Sequence, residues 1–439
     1  MNILPSSVNY AEVLPSLPEN ATRYSVALQP TNGSLFGPSS QIQFQFPNRG
    51  YLIPDSVYLR YKVLYVNTAA GIVTSKTISI PGTPFFSPFQ RLELQFGSVT
   101  VDSINNYNQV CNMLTNCTMD WVQKYGNQSN YGYSSIGASN IATTEEMDGY
   151  VINSNGIAYS QSLSLAGPLP CLLTNVVDKL IPLFDMPTIS LILTTDSNSN
   201  IINNSPSATA TMTLTNCELC FDFIELGSEV DAMVRGMGDK IYLKSQSFSN
   251  SSVTMPSAAN GSQSYIFNQR YASVKGAILT FSGNNTDITN FTTTGLFDSR
   301  DPTSNNGSFS LNVSGVQYPQ KPYSTLNNRS AMLLELRKVI GSIYYKNNSL
   351  AINAREFASV DATVCESTVP GKFYVGFNLQ KLHSNALLTG ISTNNSNITV
   401  NIESGTAISA TVPRTLNLNL AYDALIEIDI VNKQSSVKV

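Results

Sequence analysis

The residues able to do acid–base or nucleophilic chemistry are few in this sequence and lie far apart. The chain has a single histidine, His383. A Ser-His-Asp or Cys-His catalytic set would have to use it. Its neighbours Lys381, Leu382 and Ser384 form no known catalytic motif, and an isolated loop histidine is more often a polar surface residue. We therefore predict that the chain is not an enzyme and has no catalytic residues.

The cysteines and clustered carboxylates do not form a recognisable metal site. Cys217 and Cys220 have Cys-x-x-Cys spacing within an expected strand, where positions i and i+3 point to opposite faces. No second such pair and no histidine pair completes four ligands. Glu427 and Asp429 share a strand face, and acidic residues cluster at 145–148; either group could bind Ca²⁺ or support glycosidase chemistry. Charged groups are mostly solvated, so we predict an ordinary strand face, an ordinary loop, no metal and no cofactor.

Charge and cysteine content exclude several classes of protein. The formal net charge is −4 and neither end carries an Arg/Lys-rich arm, so we expect no direct packaging or sequence-specific binding of nucleic acid. No window of 18 apolar residues occurs, and the first five residues show no secretory pattern, so we expect neither a transmembrane helix nor secretion. Six cysteines in a chain this long predict free buried thiols in a reducing compartment. They are Cys111, Cys117, Cys171, Cys217, Cys220 and Cys365.

The pattern of apolar residues predicts an all-β fold. Hydrophobic residues make up 42% of the 439 residues and charged residues only 12%, which disfavours coiled coils and helical bundles. Alternation with period two, punctuated by Pro, Gly, Asn and Ser, predicts strands with one face on a core, as in antiparallel sandwiches. The predicted strands are 41–46, 57–63, 91–96, 308–313, 416–420 and 426–430.

Two segments have helical rather than strand periodicity. Apolar residues spaced three and four apart predict a helix from Tyr107 to Trp121 and another over residues 329–340. A weaker helix is predicted from Ser228 to Met237, with Ser228 as its N-cap.

The predicted elements repeat after about half the chain. In each half an alternating strand reaches a turn glycine, Gly97 or Gly315, passes through a second strand and enters a helix. Residues 57–66 resemble 273–281, and 220–225 resemble 425–430. We interpret this order as a duplicated β-sandwich.

The repeat predicts two domains of similar size. The first would cover residues 1–226, with 1–20 as an N-terminal extension, and the second residues 227–439. Each is longer than a bare eight-stranded sandwich, so we expect long loops at 124–167, 284–307 and 384–409.

The order of elements resembles that of double jelly-roll major capsid proteins. The segment Phe85-Phe86-Ser87-Pro88-Phe89-Gln90-Arg91-Leu92-Glu93-Leu94-Gln95-Phe96-Gly97 resembles their lead-in to a strand, a glycine turn and a helix. Tyr318-Pro319-Gln320-Lys321-Pro322-Tyr323 and the following helix resemble the same region of their second jelly roll. Residues 371–382 and 421–430 are similar to their closing strands. The likeness is greatest to capsid proteins of polinton-like viruses, virophages, adintoviruses and large eukaryotic DNA viruses.

This resemblance implies two tandem jelly-roll β-sandwiches with short helices in equivalent positions. It implies a homotrimer of pseudo-hexagonal outline that tiles an icosahedral shell around double-stranded DNA. Neighbouring trimers, minor capsid and penton proteins and an inner membrane would be the partners, and the virion the location. The alternative is a two-module β-sandwich protein that binds carbohydrate or mediates surface adhesion. That alternative would present aromatic residues in a groove.

Overall fold

A computed structural model describes most of the chain. The described residues are 21–67, 76–133, 149–154, 159–177, 179–204, 210–236, 238–256, 261–283, 296–344, 350–352, 354–358, 371–381, 388–405 and 414–439.

The described residues before 226 form strands and four short or medium helices. The strands are β1 (Thr22–Leu28), β2 (Leu35–Phe36), β3 (Gln41–Gln45), β4 (Tyr51–Leu52), β5 (Tyr58–Asn67), β6 (Lys76–Pro81), β7 (Phe89–Phe96), β8 (Val99–Asn105), β9 (Gly149–Ser154), β10 (Tyr159–Pro168), β11 (Ile181–Pro182), β12 (Ile189–Thr195), β13 (Asn203–Asn204) and β14 (Ala210–Glu225). The helices are α1 (Tyr107–Thr118), α2 (Trp121–Gly126), α3 (Gln128–Tyr131) and α4 (Asn198–Ile201).

After helix α5 (Ser228–Gly236) the chain builds a second set. Its strands are β15 (Lys240–Met255), β16 (Gly261–Phe267), β17 (Val274–Ser282), β18 (Gly307–Val313), β19 (Val316–Ser324), β20 (Val375–Asn378), β21 (Ile398–Ser404), β22 (Arg414–Asp429) and β23 (Gln434–Lys438). Its helices are α6 (Arg329–Tyr344) and α7 (Ala354–Phe357).

The strand order is the same in the two halves. In the first half β10-β5-β14-β1 form one sheet, extended by β2, β4 and β11, and β3-β12-β7-β8 form the other. In the second half β20-β17-β22-β15 and β16-β21-β18-β19 repeat these two orders. Two facing four-stranded antiparallel sheets in this order are a jelly roll, so the chain is a double jelly roll. The predicted all-β fold class is confirmed.

Aromatic side chains fill the space between the facing sheets of each half. Phe46 packs on Phe221 with ring centroids 5.0 Å apart, and Phe281 packs on Phe309 at 5.5 Å. The aromatic residues of both halves follow from the period-two pattern of the sequence, because every second residue of a strand points to the same face. Within the described residues, each strand pairing joins strands of the same half.

The predicted helices occupy equivalent places, but one boundary was wrong. Helix α1 ends at Thr118, and Trp121 begins the separate helix α2. Asp120 accepts a hydrogen bond from the backbone N–H of Gln123 at 2.8 Å, and the Gln123 side chain accepts one from the Asp120 N–H at 3.1 Å. This reciprocal capping box starts a new helix and interrupts the stripe seen in the sequence.

Three further expectations need correction. The runs 416–420 and 426–430 belong to one continuous strand, β22. The segment 124–167 is not a long loop, because it contains α3, β9 and most of β10. The segment 384–409 contains β21, which pairs with both β16 and β18 near the middle of its sheet.

The two turn glycines work as the sequence predicts. Gly97 and Gly315 have φ of +61° and +79° and each lies between the paired strands of a hairpin. Positive φ is strained for residues with a Cβ, so glycine allows these tight reversals.

Candidate functional interfaces

Only some of the candidate residues that the sequence offers lie in the part of the chain that the structure describes. His383, Cys365 and the acidic residues 145–148 lie outside the described residues. Cys217 and Cys220 lie in β14, and both are buried. Burial raises the pKa of Cys217 to about 12 and that of Cys171 to about 11, which keeps both thiols protonated near neutral pH.

Glu427 and Asp429 are held by protein partners. Glu427 pairs with Lys240 on β15 and with Lys438 on β23, and these hydrogen bonds lower its pKa. Asp429 accepts hydrogen bonds from the backbone and side chain of Asn432 at 2.9 and 3.0 Å. Glu427 is therefore covered by two lysines and is not the freely solvated residue expected. Among the described residues no group of three or more potential metal ligands occurs.

The most developed polar site lies between the two jelly rolls and centres on Asp102 of β8. Its Oδ2 accepts a hydrogen bond from the Ser247 hydroxyl at 2.7 Å and one from the Leu172 N–H at 3.0 Å. Its Oδ1 accepts one from the Tyr422 hydroxyl at 3.2 Å. Ser247 and Tyr422 are neighbours on the paired strands β15 and β22. One carboxylate from the first half thus joins two strands of the second.

Burial dominates the electrostatics of Asp102. The residue is only 3% exposed, and burial raises the pKa of its carboxyl while the hydrogen bonds from Ser247, Leu172 and Tyr422 oppose the shift. A buried carboxyl group is costly unless its oxygens are hydrogen-bonded. Leu172 donates from within the first half, and Ser247 and Tyr422 complete the set of donors only when the second half is in register with the first.

Backbone contacts extend the seam beside Asp102. The Ser245 hydroxyl donates to the Leu172 carbonyl at 2.5 Å, and the Val177 N–H donates to the Lys244 carbonyl at 3.2 Å. The Asn175 side chain donates to the Gln246 carbonyl at 3.1 Å. The segment between β10 and β11 is therefore tied along β15. We call this set of contacts between β8, residues 172–177 and β15 the seam.

A row of asparagines crosses the seam near helix α1. Asn106 donates to Asn250 at 2.8 Å, and Asn250 donates to Asn419 at 2.7 Å. At the other end of the helix Asn116 donates to the Tyr374 hydroxyl at 3.2 Å. Helix α1 is buried on nearly all sides because both halves pack on it. Some of the many uncharged polar residues of this sequence thus form hydrogen bonds between the two halves.

The connecting helix α5 is anchored to the first half. Arg235 forms an ion pair with buried Asp185 at 3.2 Å and lies over the ring of Phe184. The Tyr51 hydroxyl donates to Asp231 at 2.9 Å. Helix α5, which connects the two halves, is therefore held in one orientation against the first half.

Sequence reasoning missed Asp102, although one local signal was present. Asp102 lies opposite Leu94 and points to the same side of the sheet as that core residue. A carboxylate at an inward position of an alternating strand indicates a buried partner. The identity of the partners, 145 and 320 residues further on, has no local signal.

The edge strands that form the seam, β8 and β15, are more buried than the equivalent edge strands of the other jelly roll. In β8 and β15, Asp102, Ile104 and most residues from Leu243 to Asn250 are buried. In their counterparts β19 and β1 no residue is buried. Each jelly roll thus has one edge strand, β8 or β15, with many buried residues. The equivalent edge strand of the other jelly roll, β19 or β1, has only exposed and half-buried residues.

Two surface pockets lie on the second half. A pocket of about 460 Å³ at one end of the β16–β21–β18 sheet is lined by glycine, serine, asparagine, Leu326 and Glu403. Another of about 430 Å³ lies beside α6, lined by Leu333, Leu334 and Arg337 among others. Neither pocket has an aromatic residue among the described residues that line it. No helix in the described ranges is both long and apolar enough to cross a membrane.

The fold is a double jelly roll, and solved structures match it over nearly the whole chain. The PBCV-1 virus capsid protein matches at a TM-score of 0.60 and 12% identity, covering 97% of this chain and 98% of its own. The Faustovirus major capsid protein matches at 0.61 and 10%, covering 97% and 92%. A chain of the Sputnik virophage structure matches at 0.60 and 13%, covering 100% and 93%.

These neighbours are double jelly-roll major capsid proteins, and the chain has their fold. The likeness in fold that the sequence indicated is therefore confirmed. Sequence identities this low show only that the fold is shared.

Comparison by sequence adds little. A family model described as delta endotoxin matches residues 231–334, less than a quarter of the chain. The match begins inside α5 and ends inside α6, so it omits β20 to β23 and covers no complete jelly roll. No curated protein sequence matches the chain.

Proposed function

We propose that this chain is a structural protein, the major capsid protein of a double-stranded DNA virus, and that it acts as a homotrimer. The observation that carries the proposal is the double jelly roll itself, matched over nearly its full length by viral capsid proteins. Three copies would place six jelly rolls in a pseudo-hexagonal ring. Such trimers would tile an icosahedral shell.

The surface chemistry supports a role as a tile. A shell protein needs broad, shape-matched sides rather than one charged groove. Only 12% of residues are charged, and a surface of uncharged polar groups limits repulsion between crowded copies. The rigid seam suits this role, because it fixes the two jelly rolls of each chain in one relative orientation.

The remaining assignments follow from the same proposal. The first jelly roll covers residues 1–226, including the extension 1–20, and the second covers 227–439, with the division at α5. Partners are further copies of the chain, minor capsid and penton proteins and, in some virions, an inner membrane. The chain acts in the virion after synthesis in the host cytoplasm or nucleus, binds no nucleic acid sequence-specifically and has no catalytic role.

Solution mass and particle outline test the proposal. Light scattering of the purified chain should give three times 47.6 kDa, and negative-stain images should show triangular or hexagonal outlines. A stable monomer across the micromolar range that binds ligands on a glycan array would instead favour the two-module carbohydrate-binding protein.

A further inference from the structure

Helix α6 has an apolar face that the core of the second jelly roll does not use. One face of the helix packs on β17 and β20, and its side chains are buried. Ser330, Leu333, Leu334 and Arg337 are related by steps of three and four residues, so they share another face. On that face Leu333 is half-buried and Leu334 is 51% exposed. A leucine this exposed contributes little to the core and leaves aliphatic surface open to solvent.

Residues 350–352 form the opposite wall of a groove along this face. Leu350 and Ile352 line the groove from that side, and Ile352 is buried. Between them the Ala351 N–H donates a hydrogen bond to the carbonyl of Cys117 in α1 at 3.0 Å. The wall is therefore held by a contact outside the groove, and a space of about 430 Å³ lies between it and α6. Binding sites for small molecules commonly have this size.

In the described part of the chain the groove is lined by one cation and by no carboxylate. Arg337 is exposed, and none of the described carboxylates pairs with it. Glu335 is the one carboxylate of α6, and its partner is Lys338. The other lining residues are Ser330, Leu333, Leu334, Leu350 and Ile352. The groove thus combines four aliphatic side chains with one positive charge.

These features select the chemical class of a ligand. Burial of a hydrocarbon chain against leucine and isoleucine is favourable in proportion to the apolar area removed from water. A guanidinium group binds a carboxylate through two parallel hydrogen bonds. We propose that the groove binds a long-chain carboxylate, a fatty acid, with its chain along the aliphatic walls and its carboxylate on Arg337. This inference goes beyond the proposed capsid function and does not depend on the oligomeric state of the chain.

A series of saturated fatty acids, each below its critical micelle concentration, tests the proposal. Isothermal titration calorimetry of the full-length chain with decanoate at neutral pH should show saturable binding of one molecule per chain. Octanoate should bind more weakly and dodecanoate more tightly, by up to about fourfold for each added methylene that the groove buries. Decylamine has the same chain with the opposite charge. It should bind more weakly than decanoate, because Arg337 repels an ammonium group.

Two substitutions in the groove have matched controls outside it. Arg337→Gln should weaken decanoate binding about two- to fivefold, the range of an exposed ion pair, and should leave the binding of uncharged octanol unchanged. Lys338→Gln removes the neighbouring charge on the same helix, which does not line the groove, and should leave decanoate binding unchanged. Leu334→Glu places a carboxylate among the aliphatic side chains and should weaken binding about tenfold or more. Its control is Leu326→Glu, at a leucine that is 66% exposed and lies outside the groove. The urea midpoint of each variant shows that the fold is kept.

Protection of an introduced thiol locates the bound molecule. Ser330 is exposed and lines the groove, so Ser330→Cys supplies a reactive thiol there. Decanoate should slow the labelling of this thiol by a maleimide, and decylamine at the same concentration should slow it less. Ser262→Cys changes an exposed serine of β16 outside the groove and should be labelled at the same rate with and without decanoate. The wild-type chain reports the reactivity of its own cysteines.

The outcomes decide this proposal separately from the capsid function. Saturable binding that Arg337→Gln and Leu334→Glu weaken, with protection of the Ser330→Cys thiol, supports the site. A folded wild-type chain that binds no decanoate overturns it and leaves the capsid proposal standing. Equal binding of decanoate and decylamine, or binding that neither substitution changes, overturns it as well. Binding to phosphatidylcholine vesicles with none of dissolved decanoate would show a contact with a bilayer and would also refute the fatty-acid site.

Discussion

Asp102 of the first jelly roll accepts a 2.7 Å hydrogen bond from Ser247 of the second, and both side chains are buried. The contact spans 145 residues of sequence and makes the orientation of one sandwich depend on the other. Because Leu172 and Tyr422 donate to the same carboxylate, the junction is one network and not a set of independent contacts.

Removal of this carboxylate should destabilise the chain. Asp102→Ala leaves three buried donors without their acceptor, and each costs about 1–3 kcal/mol, less whatever water can satisfy. We expect a loss of about 3 kcal/mol in the free energy of unfolding, measured by urea denaturation. Asp102→Asn keeps one acceptor oxygen and should lose less. The exposed Asp55→Ala is the control and should change stability by under about 0.5 kcal/mol.

The raised pKa of Asp102 predicts how stability depends on pH. A carboxyl whose pKa is higher in the folded than in the unfolded chain binds its proton more tightly when folded. Its stabilising contribution is complete below the unfolded pKa and is lost as the pH rises through the folded value. Wild type should therefore lose stability relative to Asp102→Asn as the pH increases from about 4, the unfolded pKa. A difference between the two chains that is constant from pH 4 to 8 would contradict this.

The buried ion pair of Lys275 and Asp423 should behave as a coupled unit. Their charged atoms are 3.4 Å apart and both side chains are 1% exposed. Lys275→Met alone leaves a buried carboxylate without its cation and should cost about 3–5 kcal/mol. The double variant Lys275→Met, Asp423→Asn should recover part of that loss, since no charge is then left uncompensated. Additive effects in the double-mutant cycle would show that the two groups do not interact.

That same pair shows why some elements could be predicted and others not. Period-two alternation predicted β3, β5, β7, β18 and β22, because burial of one strand face leaves a local signature. The runs 416–420 and 426–430 were predicted separately, but β22 is continuous because it pairs with β15 along its whole length. Within it, Asp423 is buried beside Lys275, 148 residues earlier in the sequence. The seam could not be predicted from the sequence, because the residues that contact each other across it are distant in sequence. The break between α1 and α2 was readable from Asp120 and Gln123, but the apolar stripe outweighed it.

Close packing of α6 on its sheet predicts a graded response to added methyl groups. A Cβ on Gly376 would lie 2.8 Å from the Leu336 Cα, which is backbone, whereas one on Gly276 would lie 2.8 Å from a Val339 methyl carbon. Backbone has less freedom to move than a side chain in a dense core. Both substitutions overpack the core, at a cost of about 1–3 kcal/mol each.

Gly376→Ala should therefore cost more than Gly276→Ala in the free energy of unfolding. Gly236→Ala, at the end of α5 with nothing within 4 Å, is the matched control and should be neutral or slightly stabilising. Urea denaturation of the three variants gives the order directly. Equal losses at 376 and 276 would mean that α6 moves as a rigid body when crowded. The helix would then be held mainly by its ends, where Arg329 contacts Asp301 and the carbonyl of Ile343 accepts from Gln246, rather than by its packed face.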